Sequence, residues 1–114
     1  MNRKTKTREL RKRRKELKAW YKSLYDKINK CLFDHDPILI NYEFNTDEYE
    51  PEVGTILPKL KECSTEEETL NMVHEEFIKW FGANTAGPKA AYSNIARDIW
   101  KIWMEMRTRL AEIE

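Results

Sequence analysis

What this chain lacks narrows it first. Three Gly and four Pro in 114 residues leave little turn material for a strand-rich architecture. The two cysteines, Cys31 and Cys63, form neither a CxxC pair nor a multi-bridge framework. Both read as reduced thiols, the condition expected of a cytoplasmic protein. No apolar run approaches the roughly 18–20 residues of a membrane span. The basic start is not followed by the apolar segment of a secretory signal. A Gly-rich phosphate loop is missing, as is any recognisable Ser/His/Asp or Cys/His arrangement. The chain therefore reads as a non-enzyme, with no catalytic residue, no metal, no cofactor and no membrane contact assigned.

What is present is helix, aromatic residues and divided charge. Aromatics at 11% with four Trp argue for a packed core rather than a disordered chain. The net charge of +1 conceals an asymmetry: residues 1–30 hold 13 Lys/Arg against three acidic residues, and residues 31–114 hold 8 against 17. Such a division points to partners more directly than the total does.

Apolar periodicity predicts an all-α fold, a small bundle of three long helices and one short one in a single domain, 1–114. Residues 1–8 lack a stripe and read as frayed, part of a basic arm over about 1–16. From about Glu9, Leu10, Leu17, Leu24 and Cys31 recur every seven residues, with Trp20, Tyr21 and Ile28 on the same side. The stripe is sparse before Leu17, so the first half of this helix is expected to project or pack lightly. Asp36-Pro37 stops it. A long irregular connection at about 33–46 follows, and connections of that length are often functional.

The short second helix is expected to begin near Thr46 or Asp47, with Glu50 closing a capping box from Asp47 and Val53, Ile56, Leu57 and Leu60 buried. Ser64-Thr-Glu-Glu67 is read as the capping box of a third helix. Leu70, Val73, Phe77, Trp80 and Phe81 form that helix's stripe, and Gly82 ends it. The last helix spans about Pro88 to Ala111, with Tyr92, Ile95, Ala96, Ile99, Ile102, Trp103, Met106 and Leu110 on one face and Trp100 broadening it.

Phe33-Asp-His-Asp-Pro-Ile38, followed by Asp47-Glu-Tyr49, resembles a W-D-P-I-G … D-E-Y-D pattern. That pattern belongs to a small bacterial all-α family typified by the Bacillus protein YugE. The resemblance covers about residues 20–82. His35 stands where the family has an aromatic, Leu39 where it has Gly, and Glu50-Pro51 follows Tyr49. The resemblance implies a small all-α fold and no established reaction.

Two surfaces follow from the charge pattern. Between residues 34 and 76 there are 13 acidic residues and two Lys. Asp34, Asp36, Tyr42, Glu43, Asp47, Glu48, Tyr49 and Glu50 are the candidate contacts for a basic protein partner, because charge steers encounter and aromatics anchor it. An immunity or inhibitor role is the concrete version of that expectation. The alternative is nucleic-acid binding through Arg8, Arg11, Lys12, Arg14, Lys15 and Lys18 on phosphates. A solvated face whose positive charges meet the acidic remainder of the molecule, or a homodimer pairing one arm with another chain's acidic face, are the further readings of the same charges. Asp34, His35 and Asp36 with His74 and Glu75 supply nitrogen and oxygen donors, but their spacing is not that of a zinc site; turn-capping is the expected work of Asp34 or Asp36.

Overall fold

The computed structural model describes residues 3–38 and 49–113. Four α-helices and one 3-10 turn make up the described residues, with no strand among them: α1 (Arg3–His35), α2 (Glu50–Leu60), α3 (Glu66–Ala86), the turn Lys89–Tyr92 and α4 (Ser93–Ile113). The fold is a small all-α bundle, as the periodicity predicts. None of these helices is long and apolar enough to cross a membrane.

Helix α1 is 33 residues long, and nothing in it breaks the backbone ladder before Asp36-Pro37. Residues from Arg3 onward are helical, which corrects the expected fraying over 3–8: strong helix formers such as Lys and Arg sustain the ladder without a buried stripe. Asp36 takes a left-handed φ of 47°, a conformation that Asp tolerates better than most residues. Its N–H still bonds the Leu32 carbonyl at 2.8 Å.

Helix α4 lies antiparallel along α1. Trp20 of α1 donates its indole N–H to the Met106 carbonyl at 2.7 Å, while His35 meets Asp98, earlier in α4, at 2.8 Å. The Trp20 and Trp103 rings stand edge to face at 6.3 Å. Helices α2 and α3 join this pair at one end only. There the core closes around Leu24, Ile28 and Leu32 of α1, Val53, Ile56 and Leu60 of α2, Val73 and Phe77 of α3, and Tyr92, Ile95 and Ile99. The molecule is therefore long, 60 × 33 × 20 Å, with a four-helix head and a two-helix shaft.

Several local expectations shift. Helix α2 begins at Glu50 with Pro51 in its first turn, where the missing donor costs nothing; Thr46 and Asp47, the proposed caps, lie outside the described residues. The N-cap of α3 is one residue later than expected: Thr65 Oγ1 accepts from Glu68 N at 3.0 Å, and Glu68 Oε2 reaches past the cap to accept from Ser64 N at 2.5 Å. Gly82 does break α3, at φ 83°, but one more turn follows to Ala86. Trp80 and Tyr21, both expected on buried stripes, are 45% and 47% exposed. The Trp80 indole reaches Thr55 Oγ1 at 3.0 Å instead.

Candidate functional site

Two arrangements stand out: a cationic face on the shaft, and a cluster of donor side chains where α1 ends.

On the shaft, Lys4, Arg8, Arg11, Lys15, Lys18 and Lys22 follow one another at intervals of 4, 3, 4, 3 and 4 residues. At 100° per residue this alternation keeps all six on one stripe, about 160° round from the core residues Trp20, Leu24, Ile28 and Cys31, over a length of roughly 27 Å. All six are exposed. Lys22 pairs with Asp26 at 3.1 Å. Among the described residues the other five have no ion-pair partner, and neither have Lys12 and Arg14 beside them. The adjoining stretch of α4 offers little to neutralise them: residues 101–113 carry Lys101, Arg107 and Arg109 against Glu105 and Glu112, and Glu105 is bonded to Arg109 at 2.9 Å. The expected neutralisation of the arm by the acidic body is thus not seen among the described residues. A shallow open groove runs beside the stripe, with Leu17 and Tyr21 between Arg11, Arg14, Lys15 and Lys18. Tyr21 thereby sets an exposed aromatic ring among cations.

The acidic candidates divide differently. Tyr42, Glu43, Asp47 and Glu48 lie outside the described residues. Tyr49 is fully buried, which corrects its place on a binding surface: its ring packs on Phe77 at a centroid distance of 6.0 Å. Its hydroxyl donates to Asp36 Oδ1 at 2.5 Å. Two residues of the quoted motif, thirteen positions apart, therefore latch the two ends of the connection together, and Asp36 is engaged in that latch. Asp34 is exposed but holds Lys30 at 2.6 Å. Glu50 is exposed at the start of α2, with Glu62, Glu66, Glu67 and Glu75 exposed farther along the head.

The two histidines do not pool their donors. His74 Nε2 donates to the Gly87 carbonyl at 2.8 Å and its ring lies against Tyr92 at 5.3 Å, so it fastens the α3 terminus. His35 turns to α4, where Nε2 is 2.8 Å from Asp98 Oδ2. Cys31, one helical turn before His35, completes a group whose ligand atoms all lie within 4.8 Å of one another. Lys27, Lys30, Asp34 and Ile102 line the same open hollow. Burial pushes the Cys31 thiol up to about 12, with the charges of Asp98 and Asp34 adding to the effect. A thiol held protonated in this way is a poor nucleophile. The hydrogen bond from His35 holds Asp98 below the usual carboxylate range, and Arg97 adds to it. The i,i+4 spacing of Cys31 and His35 was a visible signal in the sequence; Asp98, 63 residues beyond His35, had none.

Two buried carboxylates complete the picture. Glu76 accepts from Lys59, and from Lys79 at 3.4 Å. Burial alone would raise it, but those ammonium groups hold it below the ordinary value. Glu52 is buried with Oε2 unpartnered, and burial pushes it up.

Comparison of the chain with models of protein families, with curated proteins and with solved structures returned no match.

Proposed function

We propose that this protein binds nucleic acid through the phosphate backbone, using the cationic stripe of α1. One observation carries the reading: Lys4, Arg8, Arg11, Lys15 and Lys18 share one exposed helix face with no ion-pair partner among the described residues. Cations left unpaired on a rigid rod attract a polyanion by releasing its condensed counterions, which needs no base-specific contact. Lys12 and Arg14 widen the footprint, and Tyr21 supplies a ring on which an unpaired base stacks.

The test is fluorescence anisotropy of the full chain with labelled duplex and single-stranded oligonucleotides across a salt series. Neutralising about five phosphates predicts a log–log slope near −4.5 on duplex DNA and about −3.5 on a single strand. Replacing Arg8, Arg11, Lys15 and Lys18 by Ala flattens the duplex slope by about 3.6. An absence of binding at low salt, or a slope unchanged by the four substitutions, overturns the reading.

A second reading, an immunity- or inhibitor-like binder of a basic protein, keeps Asp34 and Glu50 and gains the exposed Glu62, Glu66, Glu67 and Glu75 on the head. Charge reversal at those head glutamates abolishes capture of a basic partner if this reading holds and leaves oligonucleotide affinity alone. Pairing of one chain's stripe with another chain's head would appear instead as self-association that weakens with salt.

A further inference from the structure

We propose that Cys31 Sγ, the imidazole of His35 and a carboxylate oxygen of Asp98 hold one divalent transition-metal ion, zinc fitting best, which clamps the end of α1 to α4. The ligand atoms lie within 4.8 Å of one another. Zinc bonds of about 2.0–2.3 Å place tetrahedral ligands roughly 3.3–3.8 Å apart, so the set closes on an ion by side-chain shifts of about 1 Å. Cys31 and His35 are one turn apart on a single helix face, an arrangement that presents two donors together. The antiparallel course of α4 brings the third. The His35–Asp98 contact at 2.8 Å already turns ring and carboxylate toward each other.

The donor chemistry narrows the ion. Sulfur, nitrogen and one oxygen suit zinc or cobalt and disfavour magnesium and calcium, which take oxygen ligands. Binding displaces the Cys31 proton to solvent, and the resulting thiolate with the Asp98 carboxylate balances the dication, which makes the half-buried site electroneutral. The nearby cations are accounted for: Lys30 is held by Asp34 at 2.6 Å, and Arg97 Nε bonds Asp98 Oδ1 at 3.3 Å. Asp98 Oδ2 faces His35 Nε2 at 2.8 Å, and the ion takes the place of the proton between them. Lys27 lines the rim of the hollow. The fourth position faces that hollow and takes water. This site is separate from the cationic stripe, and its test stands whether or not nucleic acid binds.

The experiment is a cobalt(II) titration of the reduced, chelator-treated full chain under anaerobic conditions. Its expected result is one equivalent bound with a sulfur-to-cobalt charge-transfer band, abolished by stoichiometric zinc. The band is lost in Cys31→Ser and retained in Cys63→Ser. Zinc at a hundredfold excess over Kd raises Tm by on the order of 10 °C. If the buried Cys31 variant fails to fold by circular dichroism, the decision passes to His35→Gln and Asp98→Asn at the more exposed ligands, where the band must weaken by at least about tenfold in affinity. No sulfur-to-cobalt band at millimolar excess, or a band unchanged in Cys31→Ser or in both other variants, overturns the proposal.

Discussion

The two halves of α1 are one helix with two different reasons to be helical. From Trp20 to Leu32 one face of it is buried, with Leu24 1% exposed and Ile28 and Leu32 0%, while Tyr21 stands off that face at 47%. From Lys4 to Lys15 every residue is exposed, Leu10 included at 45%. The C-terminal half is held by tertiary packing, whereas the N-terminal half is carried by continuity and by the helix propensity of Lys, Arg, Glu and Leu. An exposed cationic half costs the fold little, and it holds its charges in one row along a single helix face. The difference teaches that in this molecule stability and the candidate binding face occupy opposite ends of the same element.

The sharpest way to break that comparison is to make the same kind of truncation at both ends. Ile28→Ala, in the sealed core, should cost roughly 2–5 kcal/mol in urea denaturation, while Leu10→Ala on the exposed half should stay within about 0.5 kcal/mol. Equal costs would mean that the shaft is packed as firmly as the head.

Next in size is the latch that sets where the head begins. Tyr49→Phe keeps the buried ring and removes the donor to Asp36, for an expected loss of about 1.5–3 kcal/mol, the range of a hydrogen bond to a charged group. The salt slope of oligonucleotide binding should not move, since the latch lies far along α1 from the stripe. A parallel change in both measurements would tie the two ends together.

The smallest effect separates the two buried carboxylates by sign. Glu52 has its folded value raised by burial, so the folded state binds its proton more tightly and loses stability as pH rises past the ordinary carboxylate range. Glu52→Gln should therefore stabilise the protein by on the order of 1 kcal/mol near neutral pH and by almost nothing below about pH 4. Glu76, held down by Lys59 and Lys79, behaves oppositely. Its contribution is present above the ordinary value and disappears as pH falls through its lowered one, so Glu76→Gln should flatten the acid limb of a Tm–pH curve. Stabilisation by Glu52→Gln that persists at low pH would show that burial of its charge is not the cause.

Much of this architecture was legible in the chain. Periodicity identified Val53, Ile56, Leu57 and Leu60 of α2, Tyr92 of the 3-10 turn, and Ile95, Ala96, Ile99, Trp103 and Met106 of α4, all of them buried. It erred at Trp80 and Tyr21, because apolar spacing marks a helix face but not whether a neighbour covers it. Tyr49 was misplaced for the converse reason. In the sequence it stands among carboxylates, Asp47, Glu48 and Glu50, and nothing local states that its ring turns inward to Phe77.

By itself the sequence determined the helices, the stop at Asp36-Pro37, the break at Gly82, and the concentration of positive charge before residue 31. These are local properties, set by backbone sterics and by repeats of three and four residues. The tertiary structure alone decided which cations were left unpaired, that Tyr49 would close on Asp36, and that Asp98 would arrive beside Cys31 and His35. Each of those depends on how α4 lies along α1 or on how the head closes. Such contacts join residues 13 to 86 positions apart, and side-chain packing between helices, rather than periodicity within one, selects them.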